Sequence, residues 1–100
     1  MRKEEIIKIL KEVNGEVQQK YNARVEGIFG SFVRGEEKAG SDVDVLVAFE
    51  KSANLLDLVG LSLFLEERLH RSVDVVPHDS IRKEIRDDIL KEAIYLYMQT

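Results

Sequence analysis

Asp42 and Asp44 lie two residues apart at the start of the apolar run 43–47, and a pair of carboxylates at this spacing is suited to binding a metal ion. Side chains alternate between the two faces of a β-strand, so both carboxylates are expected to point the same way. Two neighbouring carboxylates repel each other unless a cation lies between them. Their oxygens suit Mg²⁺, which favours a couple of carboxylates together with substrate phosphates. The pair therefore predicts a magnesium site.

A Gly-Ser turn upstream of the acids favours binding of an anion. The apolar run from Val25 to Phe29 predicts a strand that ends at Gly30-Ser31, where a short helix begins. Glycine lets the backbone approach a phosphate closely, and a helix start offers free N–H groups and, with serine, a hydroxyl. A plain strand-to-helix turn capped by Ser31 is the alternative, and both roles are compatible. Arg34 could hold a phosphate, brace the carboxylates or form a structural ion pair.

The spacing of these groups resembles a known signature. Gly-Ser-x-x-Arg-Gly is followed, after a short loop, by Ser-Asp-x-Asp-x-x-Val, and the whole pattern runs from Gly30 to Val47. It resembles the polymerase-β-type nucleotidyltransferases, and most closely their smallest branch, the minimal nucleotidyltransferases that are often paired with HEPN-domain proteins in toxin–antitoxin modules. Several separated positions match together, which makes the resemblance specific, whereas a bare Asp-x-Asp would mean little.

The resemblance implies a third acidic residue on a later strand, and Asp74 within 72–76 fits. It would be the third metal ligand, the one closest to the attacking hydroxyl and a candidate base. From the residues alone, Asp74 could instead be a solvent-facing residue of an edge strand. The implied catalytic and metal-binding residues are Asp42, Asp44 and Asp74, and the implied nucleotide-binding residues are Gly30, Ser31 and Arg34.

The function implied by the resemblance is Mg²⁺-dependent transfer of a nucleoside monophosphate to an acceptor hydroxyl. Two Mg²⁺ ions would be the cofactors, and ATP, as donor of AMP, the substrate. The implied acceptor is a tyrosine of a partner HEPN toxin, which the modification silences. Two alternatives stay open: an antitoxin that only binds its partner, and a nucleotide sensor without turnover.

Length and composition predict a single domain over residues 1–100. The sequence has 44% hydrophobic and 34% charged residues, a balance typical of globular proteins, and no apolar run long enough to span a membrane. Without a signal-peptide pattern, we expect a cytoplasmic protein with no membrane partner. The absence of cysteine excludes disulfides and thiolate metal sites. A formal net charge of −4 argues against direct binding of nucleic acid.

Apolar periodicity predicts alternating helices and strands. The first helix has a weak point at Asn14-Gly15, and the last carries Ile81, Ile85, Ile89 and Leu96 inward. Alternation alone would favour an all-parallel sheet, whereas the resemblance implies an α+β nucleotidyltransferase fold, a small mixed sheet with helices largely on one side. The predicted helices are Arg2 to about Tyr21, a short one near Ser31, Leu55–Leu69, and one from Asp79 or Ser80 to about Met98. The predicted strands are Arg24–Phe29, Asp42–Phe49 and Ser72–Val76, the last ended by Pro77.

Overall fold

Helices and strands alternate along residues 1–97, the part of the chain that the computed structural model describes. The four described strands form one sheet in the order β3-β2-β1-β4. Strand β2 is parallel to β3, and β1 is antiparallel to both β2 and β4, so the predicted mixed sheet is confirmed. The elements are α1 (Lys3–Tyr21), β1 (Ala23–Phe29), α2 (Ser31–Arg34), β2 (Val43–Phe49), α3 (Leu55–Leu69), β3 (Val73–Pro77), a 3₁₀ turn (His78–Ser80), α4 (Lys83–Glu92) and β4 (Ile94–Tyr95).

The core lies between one face of the sheet and helices α1 and α3. Strand β2 buries Val43, Val45 and Val47 on that face, as their alternate spacing predicts. The two helices supply apolar side chains three or four residues apart, so that each buries one stripe. The buried helical residues are Ile6, Leu10, Val13 and Val17 of α1 and Leu61, Leu65 and Leu69 of α3. The opposite side of the sheet, called here the open face because α1 and α3 pack on the other side, carries Asp44, Leu46 and Ala48 of β2, of which Leu46 is fully buried.

Helix α3 buries only one of its sides. Its start is fixed by a reciprocal cap, in which Asn54 and Asp57 each accept a hydrogen bond from the other's backbone N–H. Four apolar residues on its outer side are exposed and define the α3 stripe: Leu55, Leu56, Val59 and Leu63. No helix within residues 1–97 combines the length and apolar character needed to cross a membrane.

A buried asparagine joins α1 to β1. The Asn14 side chain donates to the Val25 carbonyl oxygen at 3.1 Å and accepts from the Val25 N–H at 2.9 Å. Strand β4 pairs with β1 only at Gly27 and Ile28, so it does not reach the backbone of Val25. Asn14 satisfies these groups in place of a neighbouring strand. The position predicted to be a weak point of α1 is therefore held by a tertiary contact between Asn14 and Val25.

The C-terminal part of the chain differs from the prediction of one continuous helix from Asp79 or Ser80 to about Met98. A 3₁₀ turn comes first, α4 starts only at Lys83 and ends at Glu92, and β4 follows. The predicted helix end at Met98 lies outside the described residues. Of the residues predicted to point inward, Ile81 and Leu96 are buried and Ile89 is half-buried, but Ile85 is 47% exposed.

Sheet pairing explains why the helix stops. Without β4, the outer edge of β1 would leave backbone groups unpaired, which is unfavourable. Ile94 and Tyr95 pair with that edge, and the Leu96 N–H donates to the Glu26 carbonyl oxygen at 2.9 Å. Gly27 permits this approach, because a Cβ there would overlap the Ile94 carbonyl oxygen. β-Branched and aromatic residues suit such a strand.

Strands β2 and β3 differ slightly from their predicted bounds. β2 begins at Val43, so Asp42 lies immediately before it. β3 begins at Val73 and includes Pro77, which pairs with Val47 although it was predicted to end the strand. Proline is tolerated because β3 is an edge strand of the sheet.

Adjacent substitutions in α1 are expected to change stability in opposite directions. Asn14→Leu leaves the Val25 N–H and carbonyl unsatisfied, which costs about 1–3 kcal/mol per buried group. Gly15→Ala is the matched control. A Cβ at Gly15 meets no atom within 4 Å, and alanine inside a helix is favoured by roughly 0.5–1 kcal/mol. Thermal melts should show a lower Tm for the first variant and a higher Tm for the second. An unchanged Tm for Asn14→Leu would contradict the structural role of this amide.

Candidate active site

Three carboxylates lie at one end of the open face. Asp44 of β2 is the register partner of Asp74 of β3, and paired residues of parallel strands share a face. Asp42 lies two residues before Asp44. Asp42 and Asp74 are exposed, whereas Asp44 is half-buried. The structure thus brings the three predicted acids to one end of neighbouring strands.

The electrostatics of Asp44 reflect this crowding. Its pKa is raised to about 6, first by burial and then by the negative charges of Asp74 and Asp42. Glu92 adds to the rise, and the positive charge of Arg34 opposes it. Like charges disfavour the ionised form of a carboxyl group, and a bound cation would remove that penalty.

The donor set fits Mg²⁺ shared with a phosphate ligand. Within residues 1–97, no group of three or more His, Cys, Asp or Glu side chains is placed so that it could hold a metal ion without other ligands or movement. Mg²⁺ is usually held by one or two carboxylates plus substrate phosphates, so a complete protein shell is not required. Asp42, Asp44 and Asp74 offer oxygen ligands of the right kind, and nucleotide phosphates would complete the shell.

Gly30 lies directly against the Asp44 carboxylate. Its backbone has φ +83°, in the region that favours glycine, and a Cβ would overlap Asp44 Oδ2. Phe29, the residue before it, is the register partner of Asp44 across the β1–β2 pair. Ser31 follows as the first residue of α2. Gly30 is therefore in direct contact with the Asp44 carboxylate, and its positive φ together with the lack of space for a Cβ explains the glycine.

Glu92 is a fourth carboxylate at this site that the sequence analysis did not identify. Its Oε1 accepts from Arg34 Nη1 at 2.6 Å, and its Oε2 accepts from the Gly30 N–H at 3.3 Å. Arg34 Nε also donates to Glu36 Oε1 at 2.7 Å, so both acids raise the pKa of the guanidinium. Of the roles considered for Arg34, the structure shows the ion pair. No local pattern marks Glu92, which reaches the site because the chain turns back into β4.

Removing the charge of Asp44 is expected to stabilise the metal-free protein in a pH-dependent way. The folded-state pKa of about 6 exceeds the unfolded value of about 3.9, so the native state binds the proton more tightly. The free energy of unfolding of the wild type should therefore fall as pH rises through this window and level off above it. In EDTA, Asp44→Asn should melt above the wild type at pH 7–8, and the difference should shrink towards pH 4.

Asp88→Asn, which removes an exposed carboxylate on α4, is the control and should not show this pH-dependent gain. If Asp44→Asn melts lower than the wild type at pH 8 in EDTA, the three acids do not form one crowded site.

Comparison with known proteins gives one family and a close set of relatives. Residues 5–96 match the model of the nucleotidyltransferase domain family. The protein adenylyltransferase MntA of Thermococcus cleftensis is 41% identical over 93 residues, which cover 93% of this chain and 94% of that protein.

Solved structures agree with this assignment. A structure assigned as a minimal nucleotidyltransferase has a TM-score of 0.78 at 36% identity and covers 94% of this chain and 95% of that chain. A chain from the rebuilt structure of tri-AMPylated Shewanella oneidensis HEPN toxin in complex with MNT antitoxin has a TM-score of 0.63. At 15% identity, covering 93% of this chain and 73% of that one, it shows the fold alone. The family match spans nearly the whole chain, and this chain therefore belongs to the nucleotidyltransferase domain family.

Proposed function

We propose that this chain transfers AMP from ATP to a hydroxyl of a partner protein, and that it thereby acts as the antitoxin of a HEPN-type toxin. The observation that carries the proposal is the pairing of Asp44 with Asp74, with Asp42 and Gly30 beside them. Oxygen ligands for Mg²⁺ next to a glycine turn form a site for a nucleoside triphosphate.

Each residue has a distinct role in this proposal. Asp42 and Asp44 would hold Mg²⁺, with Asp74 as the third ligand, while Gly30, Ser31 and Arg34 bind phosphate oxygens. Once bound, Mg²⁺ supplies charge stabilisation of the triphosphate and of the departing pyrophosphate. Asp44 is mostly ionised above its pKa of about 6, so it can serve as a ligand at neutral pH.

The transfer step is an in-line displacement. A lone pair of the acceptor oxygen forms a bond to the α-phosphorus of ATP. The bond from that phosphorus to the bridging oxygen breaks, and pyrophosphate leaves with the electron pair. Asp74 takes the proton of the acceptor hydroxyl. Asp74 is exposed on an edge strand, so an acceptor on the surface of another protein can approach it directly.

The relatives support the choice of a protein acceptor and of a HEPN-type partner. MntA of T. cleftensis is a protein adenylyltransferase, and a fold neighbour comes from a complex that contains a tri-AMPylated HEPN toxin. We assign a tyrosine hydroxyl of a HEPN-type protein as the acceptor and the cytoplasm, where both ATP and toxin would be available, as the location.

Catalysis is tested by removing two charges at once. Asp42→Asn/Asp44→Asn should abolish AMP transfer to a HEPN-type partner protein, because the proposed metal ligands are lost. The control Asp87→Asn/Asp88→Asn removes two exposed carboxylates of α4 and should transfer normally. The measurement is incubation with labelled ATP and Mg²⁺, followed by mass spectrometry of the partner.

The transfer assay, together with binding measurements on the wild type, separates the three candidate functions. If the wild type forms a complex with the partner and neutralises it without any transfer, the chain is a binding-only antitoxin. Binding of Mg·ATP without complex formation or transfer would favour a nucleotide sensor. Undiminished transfer by Asp42→Asn/Asp44→Asn would exclude these acids from catalysis.

The α3 stripe is the surface on which we place the docking of the HEPN-type partner. Exposed contiguous apolar residues commonly mark protein interaction sites. Leu56 is 80% exposed and Leu63 is 62% exposed, so Leu56→Asp/Leu63→Asp should leave the fold intact while weakening the complex by at least about tenfold, or roughly 1.4 kcal/mol. Ile85→Asp, on the exposed side of α4, is the control. Equal affinity of both variants for the partner, measured by calorimetry, would place the interface elsewhere.

A further inference from the structure

We propose that Glu92 is an internal competitor of the nucleotide: its carboxylate occupies the groups that receive the phosphate and has to leave before Mg·ATP binds. The inference rests on the proposed function, because it takes Gly30 and Arg34 to be phosphate-binding groups. It concerns a residue outside the recognisable motif, on the last turn of α4.

The contacts of Glu92 are those expected of a bound anion. One oxygen accepts from the Arg34 guanidinium at 2.6 Å, and the other accepts from the Gly30 backbone N–H at 3.3 Å. A phosphate group would use the same donors, one charged and one from the backbone. Only 23% of the Glu92 side chain is exposed, so it covers these donors. The carboxylate and a phosphate therefore cannot occupy the two donors together.

Glu92 is placed so that it can leave. In the part of the chain described, helix α4 has no fully buried residue, but half-buried Ile89 and Leu90 and the hydrogen bond from the Tyr95 hydroxyl to the Leu90 carbonyl oxygen at 2.9 Å hold its last turn, so only the Glu92 side chain has to move. The Arg34 side chain is 49% exposed, and ion pairs open to water are weak. The negative charge of Glu92 also lies near that of Asp44, and repulsion between the two carboxylates disfavours the bound position of Glu92. The displacement needs only a side-chain rotation, since β4 fixes the backbone that follows.

The ligand that displaces Glu92 must bind the donors better than a single carboxylate does. A triphosphate carries several negative charges, and its accompanying Mg²⁺ is held by the acids nearby, so Mg·ATP meets this requirement. Glu92 therefore lowers the affinity for nucleotide and keeps the donors satisfied when none is bound. The chain would bind nucleotide more tightly without it.

Calorimetric titration with Mg·ATP tests this competition. Glu92→Gln keeps the shape but loses the charge, and Glu92→Ala removes both the charge and the acceptor. We expect the Kd for Mg·ATP to fall by about 3- to 10-fold in both variants, where tenfold corresponds to about 1.4 kcal/mol. Asp88→Asn, one turn earlier on α4 and exposed, makes the same change in net charge and should alter Kd by less than about twofold. Thermal melts of all variants confirm folding.

A gain in affinity is a strict criterion, because loss of a merely structural contact would not strengthen binding. Weaker binding by Glu92→Gln would overturn the inference and indicate that Glu92 helps to hold the metal or to orient Arg34. Equal Kd values with intact AMP transfer would overturn the inference alone. Absence of Mg·ATP binding by wild type and variants, together with absence of transfer, would overturn both the inference and the proposed function.

Discussion

Strand β2 has to meet opposite demands on its two faces. Val43, Val45 and Val47 are buried on one face, and Asp44 must remain reachable by solvent on the other. Full burial of a valine stabilises a protein by roughly 1.5–3 kcal/mol. Repulsion between two charges 4 Å apart ranges from about 1 kcal/mol in water to about 4 kcal/mol at an effective dielectric of 20. The buried face therefore holds the register of β2 and β3 against the repulsion of the carboxylates.

The turn after β1 is constrained by the same pairing of strands, and it carries the residues proposed to bind the nucleotide. Because Phe29 pairs with Asp44, the next residue has to pass the carboxylate at close range, and Gly30 has no Cβ to obstruct it. The backbone N–H of Gly30 is thereby fixed beside the acids. The antiparallel pairing of β1 with β2 thus places Gly30, the proposed phosphate-binding residue, against Asp44, the proposed metal ligand.

The sequence allowed prediction of those features that depend on local spacing. The helices α1 and α3 follow from apolar periodicity, and Asp42, Asp44 and Gly30 follow from a motif contained within β1 to β2. The mixed sheet was predicted only through the resemblance, because alternation by itself favours a parallel one. Strand β4 and Glu92 were missed because they depend on long-range pairing, and Glu92 contacts Gly30 across 62 residues. The contact of Asn14 with Val25 was not predicted for the same reason, although the single helix α1 was.

The negative charge around the proposed site should affect free ATP and magnesium-bound ATP differently. The chain carries a formal charge of −4, and four carboxylates, those of Asp42, Asp44, Asp74 and Glu92, influence one end of the sheet. ATP without a metal ion would bring further negative charge to this region and meet repulsion from all of them. Mg²⁺ reverses the sign of that interaction, because it attracts the carboxylates and neutralises the phosphates together. Under the proposed function, the acids that raise the pKa of Asp44 would therefore repel uncomplexed nucleotide and favour its magnesium complex.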